Sequence, residues 1–272
     1  KISNHLQNRI DIPPERLFEP FYRSPNISEK VSGAGLGLSI VKELTEKLKG
    51  LKEIKVIGIG GSAVKGFADK YSDLDLYCYC SNPPKIEKIK SILGIKKFDY
   101  YTQLHGQSGD WLFVIDYKGF ETCIQFRRLS KIKTWLNNFL KYPTTRSSVL
   151  PASFILDLKP LYDPKKEIIK LKKKLKFPNH ENMHIVPFDH IIKDRIMSDD
   201  ILPYLIKRKS YLQIEFHISR SLREYMHVLY SLNKKFFTSA KWYDKEIKKF
   251  KIKPKNCIKR IEQIATLGSK GP

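Results

Sequence analysis

A short apolar run, IKVIGI at 54–59, leads directly into the segment GGSAVKGFADKYSDLDL at 60–76. The run is typical of a buried β-strand, and paired glycines followed by serine predict a tight turn that opens a helix. A second apolar run, LDLYCY at 74–79, predicts another strand. This order of strand, turn, helix and strand predicts a small α/β unit and constrains the fold more than any other feature.

The turn has the chemistry of a phosphate-binding site. Gly60 and Gly61 lack Cβ atoms and therefore allow a ligand to approach the backbone closely. Backbone N–H groups at the start of a helix bind an oxyanion favourably. The hydroxyl of Ser62 adds a hydrogen bond, and Lys65, one helical turn later, supplies positive charge. We therefore predict that these four residues bind phosphate.

Two carboxylates follow the turn at the spacing of a strand. Asp73 and Asp75 flank Leu74, so a strand presents both carboxylates on one face. Carboxylates this close repel each other unless a divalent cation lies between them. Mg²⁺ prefers such oxygen ligands together with nucleotide phosphates. The pattern therefore predicts a divalent-metal site at these two aspartates.

Together these residues resemble the signature of the nucleotidyltransferase superfamily of the polymerase beta type. The signature residues here are Gly61, Ser62, Gly66, Asp73 and Asp75. The resemblance also adds Ser72, directly before the first aspartate, to the nucleotide-binding residues. It implies transfer of a nucleoside monophosphate from an NTP, with ATP favoured, to a hydroxyl or phosphate acceptor. The implied cofactor is Mg²⁺ or Mn²⁺, held by the two aspartates, which are the catalytic residues.

The family usually supplies a third catalytic carboxylate, and this sequence departs from that pattern. Within GFETCIQF at 119–126, Cys123 stands where the family has aspartate, and a thiol does not replace a hard oxygen ligand. Glu121, on the same strand face, is the first candidate to serve instead, and Asp116 on the partnering strand is the second. If neither serves, the domain is a catalytically weakened module that binds nucleotide or RNA.

The chain is predicted to contain four segments. Residues 51–150 form a nucleotidyltransferase-like α/β (α+β) domain with a mixed sheet, and residues 151–183 form a linker with a basic helix. Helical periodicity predicts an all-α domain over 184–272. The stretches 156–171 and 216–237 resemble the helical domain that follows the catalytic unit in aminoglycoside nucleotidyltransferase-like proteins.

Residues 1–50 carry a second resemblance, to the second glycine-rich box of the histidine-kinase ATPase domain. The glycines of that box are Gly33, Gly35 and Gly37. The upstream box does not fit, because Gln7, Arg9 and Asp11 stand at its three functional positions. We expect a truncated remnant whose helix, from about 36 to 49, packs on the next domain. A histidine-kinase ATPase fragment is the least favoured function.

Charge and composition set the expected class of partner. The chain has 51 Lys and Arg against 28 Asp and Glu, a net charge of +23, which attracts phosphates and other polyanions. Its hydrophobic content of 41% is enough to bury a core and excludes wholesale disorder. We expect no membrane partner, because no long uncharged apolar run is present. We expect a cytoplasmic protein, because the four cysteines lack the density of a disulfide scaffold. The expected partners are an NTP, an acceptor that is a small molecule, protein or RNA, and a polyanion.

Overall fold

A computed structural model describes residues 37–68, 71–103, 110–143, 150–178, 183, 201–237 and 239–270. The chain forms two compact units, of which the first combines Lys1–Ser130 with Asp157–Ile168. The second combines Lys131–Leu156 with Ile169–Pro272. The chain therefore leaves the first unit after Ser130, returns to it for Asp157–Ile168 and then leaves it again.

The first unit is built on a six-stranded mixed sheet. Its strands are β1 (Ile54–Ile59), β2 (Leu74–Cys80), β3 (Tyr100–Gln103), β4 (Trp111–Tyr117), β5 (Phe120–Arg128) and β6 (Lys159–Tyr162). The order across the sheet is β3–β4–β5–β2–β1–β6. Strands β2 and β5 are parallel, and the other neighbouring strands are antiparallel. The predicted mixed sheet with helices is confirmed.

The described helices are distributed over both units. In chain order they are α1 (Gly37–Lys49), α2 (Gly61–Lys65), α3 (Ile86–Leu93), α4 (Leu129–Lys141), α5 (Leu150–Leu156), α6 (Glu167–Lys174), α7 (Leu202–Lys207), α8 (Tyr211–Leu232), α9 (Tyr243–Lys248) and α10 (Cys257–Lys270). From Leu202 onward every described element is a helix, which agrees with the predicted helical C-terminal region.

Helix α1 covers one face of the sheet. Its Val41, Leu44 and Leu48 recur at steps of three and four residues and are fully buried. They share one core with apolar side chains of β1, β2 and α3. Each side chain of this size stabilises the fold by roughly 1.5–3 kcal/mol when it is buried. The helix expected from about 36 to 49 is therefore an integral part of the first unit, while residues 1–36 lie outside the described ranges.

A tight hairpin joins β4 to β5 at Lys118 and Gly119. Lys118 and Gly119 both have positive φ, 56° and 82°, as a two-residue turn of this kind requires. The Asp116 carboxylate accepts a hydrogen bond from the Gly119 N–H at 2.7 Å. The turn thereby fixes the register in which β4 and β5 pair.

The segment 151–183 was expected to be a linker with a basic helix, and part of it belongs to the sheet. Strand β6 pairs with β1, with Tyr162 opposite Ile57. The Asp163 carboxylate accepts hydrogen bonds from the first backbone N–H groups of α6, at 2.7 and 2.9 Å. The expected basic helix is present as α6.

The second unit has a core of its own formed by α8, α9 and α10. Met226, Leu229 and Tyr230 of α8 are buried in that core. The Tyr230 hydroxyl donates a hydrogen bond to Glu246 of α9 at 2.7 Å, which satisfies the buried phenol. Among the described residues, no helix combines the length and apolar character needed to cross a membrane.

Candidate active site

The turn after β1 is held by backbone hydrogen bonds. The Gly60 N–H donates to the Asp75 carbonyl at 3.0 Å, which extends the pairing of β1 with β2 beyond the strand end. Helix α2 follows at once and ends at Gly66, whose φ of 70° lets its N–H reach the Ser62 carbonyl. The sequence spacing therefore produces a one-turn helix directly beside the start of β2.

Gly61 lies directly against the first carboxylate of β2. Its φ is 62°, a left-handed conformation that side chains other than glycine rarely adopt. A Cβ at Gly61 would lie 2.8 Å from Asp75 Cγ and would overlap the carboxylate oxygen. The predicted proximity of the Gly-Ser bend and this aspartate is therefore present in the fold.

Ser62 supplies an unsatisfied hydroxyl at the same bend. The residue is 4% exposed, and within the described part of the chain its Oγ has no hydrogen-bond partner. A buried hydroxyl without a partner costs about 1–3 kcal/mol. Such a group is typical of a site in which a ligand completes the hydrogen bonding.

The two aspartates lie at the start of β2. Asp75 stands opposite Cys123 in the parallel pairing of β2 with β5, and Asp73 directly precedes the strand. Burial, the largest cause, and the negative charges of Asp75 and Asp73 together raise the pKa of the Cys123 thiol to about 12. Both carboxylates are therefore close enough to influence the thiol, as expected for one face of the sheet.

The character of Cys123 decides what this face can bind. With a pKa of about 12 its thiol is protonated and neutral near pH 7, so it supplies neither a negative charge nor a hard oxygen. Nowhere in the described ranges do three or more His, Cys, Asp or Glu side chains have the arrangement of a metal site. Asp73 and Asp75 stay the predicted oxygen donors for a divalent cation.

The two candidates for the third carboxylate occupy different environments. Glu121 and Asp116 stand directly opposite each other in the pairing of β4 with β5. Glu121 is exposed, and extending the pairing of β2 with β5 by one residue places it beside Asp73. Asp116 instead holds the hairpin through Gly119, and its N–H donates to the Asp99 carboxylate at 2.6 Å. The strand register therefore favours Glu121 as the candidate nearer the aspartates, which stays a prediction, while Asp116 is hydrogen-bonded at the turn.

Lys65 has a partner that the sequence did not reveal. Its ammonium lies 3.2 Å from the carboxylate of Asp157, which directly precedes Leu158 and β6. Both side chains are partly buried, at 20% and 31% exposure. The positive charge expected to neutralise phosphate is therefore paired within the protein. Ser72 is partly buried and lies directly before Asp73.

Gly60 is required by packing inside the protein. A Cβ there would lie 2.5 Å from Tyr77 Cε2, so the tyrosine ring occupies the space that the sequence assigned to an approaching ligand. Burial raises the pKa of Tyr77, and the charge of Asp75 raises it further, so its hydroxyl stays protonated. Period-two alternation along β2 places this ring on the Asp75 face and is the signal that could have identified it.

A row of polar side chains along β5 continues this face. Arg127 donates two hydrogen bonds to the Gln125 side-chain oxygen, at 3.1 and 2.7 Å. Gln125 in turn donates to the Cys123 sulfur at 3.9 Å. Burial lowers the pKa of Arg127. Sequence reasoning missed Gln125 and Arg127, although their spacing of two residues from Cys123 places them on its strand face.

Residues 40–142 match the protein-family model described as a nucleotidyltransferase domain. This part of the chain belongs to the nucleotidyltransferase superfamily. The match starts within α1 and includes the turn, both aspartates and the β4–β5 hairpin. The resemblance of the N-terminal segment to a histidine-kinase ATPase domain is unconfirmed.

One solved structure is similar over most of the chain. It is the crystal structure of a nucleotidyltransferase-like protein from Exiguobacterium sibiricum 255-15. The similarity covers 85% of this chain and 72% of that one, with 12% sequence identity and a TM-score of 0.39. No curated protein matches the chain. Assignment of the nucleotidyltransferase domain therefore rests on the family match, and nucleotidyl transfer is the general chemistry that such a domain supports.

Proposed function

We propose that the nucleotidyltransferase domain transfers a nucleoside monophosphate from an NTP, with ATP favoured, to an acceptor hydroxyl or phosphate in the presence of Mg²⁺ or Mn²⁺. The observation that carries this proposal is the contact of the Asp75 carboxylate with Gly61 at the phosphate-type bend. The proposal includes a cytoplasmic location, which suits the four free cysteines. The acceptor is a small molecule, a protein or an RNA.

Each group at the bend has a part in the proposed reaction. Ser62 Oγ and the backbone N–H groups at Gly61 and Ser62 bind the triphosphate. Asp73 and Asp75 hold the divalent cation. When it is bound, this cation stabilises the negative charge that develops on the transferred phosphoryl group and lowers the pKa of the attacking hydroxyl. Lys65, paired with Asp157, stiffens the end of α2 and adds little charge at the phosphates.

Glu121 is proposed as the third catalytic carboxylate. It is exposed to the side on which an acceptor would approach the aspartates, and no described hydrogen bond occupies its carboxylate. It can therefore accept the proton of the acceptor hydroxyl as a general base. Ser72, next to Asp73, completes the proposed set of nucleotide-binding residues together with Gly60, which shapes the bend through its contact with Tyr77.

A second candidate function is favoured by Cys123. A protonated thiol at the position of the usual third carboxylate weakens metal binding and removes a charge that assists transfer. A domain of this kind binds a nucleotide or RNA and turns over slowly. The distinction between the two functions depends on whether Glu121 replaces the missing carboxylate.

The test is a transfer assay with each α-labelled NTP, Mg²⁺ or Mn²⁺, and RNA, proteins, polyols and aminoglycosides as acceptors. We expect label transfer that is abolished by Asp73→Asn and by Asp75→Asn. The variant Asp99→Asn, which changes a carboxylate away from the bend, is the matched control. Binding of NTP with metal but without transfer would favour the weakened module, and binding of neither NTP nor RNA would contradict both functions.

A further inference from the structure

A second recess lies in the first unit at the opposite end of β1 from the Gly-Ser bend. It has a volume of about 330 Å³, at the small end of the roughly 300–1,000 Å³ typical of ligand sites. Four lysines and one carboxylate contribute to its walls: Lys49, Lys52, Lys55, Lys165 and Glu167. None of these lysines belongs to the site proposed above. A recess with this excess of ammonium groups selects anions.

Most lysines of this recess are not paired with a carboxylate in the described part of the chain. Neither Lys52 nor Lys165 has a carboxylate within ion-pair distance among the described residues. The Lys55 ammonium donates a hydrogen bond to the Lys52 carbonyl at 2.8 Å, a contact that orients the charge and does not neutralise it. Lys49 pairs with Glu46 at 2.5 Å and contributes less. Three ammonium groups are therefore available to phosphates.

The recess also has an apolar floor. Leu51, Ile54 and Leu129 are buried beneath it, with 3%, 4% and 8% exposure. Tyr162, on the edge strand β6, is partly buried in its wall. A ligand that uses both parts of the recess must combine anionic groups with a flat apolar group small enough to enter it. A nucleotide has this combination, because each base is joined to a phosphate.

We propose that this recess binds single-stranded nucleic acid. The ammonium groups of Lys52, Lys55 and Lys165 bind backbone phosphates, and one base enters the recess and stacks on Tyr162. An anionic lipid surface fits less well, because the apolar side chains lie at the bottom of a recess and do not project toward a membrane. An acidic peptide carries negative charge but has no nucleobase to pack against the apolar floor of the recess.

The recess is separate from the nucleotidyltransferase site. The two lie at opposite ends of β1, a strand of 6 residues that spans roughly 20 Å at about 3.3 Å per residue. The inference therefore goes beyond the proposed function and does not depend on it. Nucleic acid held here would be bound whether or not the domain transfers a nucleotide.

The test measures binding of the whole chain to a short fluorescein-labelled oligouridylate by fluorescence anisotropy over a range of salt concentrations. In the triple variant Lys52→Gln, Lys55→Gln and Lys165→Gln we expect affinity to fall at least about tenfold. We also expect the slope of log K against log salt to become shallower by about 2, because each lost phosphate contact removes about 0.7 for single strands.

The matched control removes the same charge elsewhere. Lys85, Lys96 and Lys97 are exposed lysines of the first unit that do not line the recess. Changing all three to Gln should leave the salt slope nearly unchanged, and an equal loss in both triple variants would overturn the proposal. Tyr162→Leu should weaken binding about fivefold or more while Tyr162→Phe preserves it. Preferential binding to phosphatidylserine vesicles or to polyglutamate, lost in the same variant, would also overturn it.

Discussion

The Asp75 carboxylate rests against the Cα of Gly61, at a position where a Cβ would lie 2.8 Å from Asp75 Cγ. This contact joins the two halves of the nucleotidyltransferase signature, the bend after β1 and the aspartates at β2, without intervening side chains. The carboxylate can approach the phosphate-type bend so closely because glycine occupies the position. The orientation of Asp75 and the backbone conformation of the bend are therefore coupled.

This coupling predicts that Gly61→Ala impairs both stability and nucleotidyl transfer. The substitution places a side chain at a φ of 62° and pushes the Asp75 carboxylate away from the bend. We expect a loss of unfolding free energy of about 2–4 kcal/mol, from backbone strain and overpacking together. Nucleotidyl transfer should fall at least about a hundredfold. Urea unfolding measures the loss of stability, and the labelled-NTP assay measures the loss of transfer.

Gly94→Ala is the matched control for that substitution. Gly94 has nearly the same φ, 71°, and ends α3, but a Cβ there would meet nothing within 4 Å. The unfolding free energy of Gly94→Ala should fall by only about 1 kcal/mol, from backbone strain alone, and its transfer activity should be unchanged. If both variants lost equal stability and both stayed active, the contact of Gly61 with Asp75 would not be required for nucleotidyl transfer.

A second prediction separates the two carboxylates that face each other across β4 and β5. Glu121→Gln removes the proposed base and should lower transfer about a hundredfold or more, with little change in stability, because the side chain is exposed. Asp116→Asn keeps a carbonyl oxygen that accepts the Gly119 N–H, so the hairpin and the activity should both persist. The measurements are the rate of label transfer and its pH profile.

The opposite order of transfer rates would reverse the assignment of the third carboxylate. Loss of transfer in Asp116→Asn, with Glu121→Gln fully active, would make Asp116 the third carboxylate. Full activity of both variants would show that the two aspartates of β2 are sufficient. The pH profile adds a check, because loss of a general base removes the acid limb of the profile even where residual activity survives.

Stability should depend on pH through Glu43 on α1. Hydrogen bonds from Lys118 and from the Tyr117 hydroxyl lower the pKa of this carboxyl below its ordinary 4.5. A carboxyl whose pKa is lower in the folded state stabilises the fold above its unfolded pKa and loses that contribution as the pH falls through the folded pKa. Glu43→Gln should therefore lower unfolding free energy near pH 7 and have little effect in strong acid.

The expected size of this effect is small because the Glu43 side chain is 34% exposed. We expect about 0.2–1 kcal/mol near pH 7, measured by urea unfolding at several pH values. Glu46→Gln on the same helix is the control, since Glu46 is 57% exposed and pairs only with Lys49 among the described residues. A deficit for Glu43→Gln that persists unchanged in acid would rule out the ion pair as its cause.

Local features of this fold could be predicted from the sequence, and distant pairings could not. The burial of Val41, Leu44 and Leu48 follows from helical spacing, and the hairpin turn follows from Lys118–Gly119. Strand β6 was missed because a run of four residues containing proline has almost no periodic signal and is stabilised mainly by pairing with β1.

The site shows the same division between local and distant contacts. The turn and the aspartates were predictable because a fixed spacing on adjacent elements defines them. The ion pair of Lys65 with Asp157 joins residues far apart in the chain, and no local pattern predicts it. The contact of Gly60 with Tyr77 was missed for a different reason: a glycine in a bend admits a ligand and a neighbouring side chain equally well, and only the packed structure distinguishes them.

The last prediction restores the carboxylate that the family usually supplies. Cys123 stands opposite Asp75 in the pairing of β2 with β5, so Cys123→Asp brings a third negative charge to the same face. Without a divalent cation these charges repel, and the variant should unfold at a lower temperature than the unaltered chain. Added Mn²⁺ or Mg²⁺ should raise its Tm more than that of the unaltered chain, because a cation bound only in the folded state stabilises it.

Cys123→Ser is the control, since it has a similar volume and no charge, and its Tm should respond to metal as the unaltered chain does. If Asp73 and Asp75 hold a cation, the aspartate variant should also transfer label faster, because a third hard ligand tightens the site. If neither cation changes the Tm of Cys123→Asp, the acidic face does not bind them. The proposed role of a divalent cation in transfer would then be wrong. If metal raises the Tm of Cys123→Asp but transfer is not faster, cation binding does not limit the rate, and a step that involves the acceptor does.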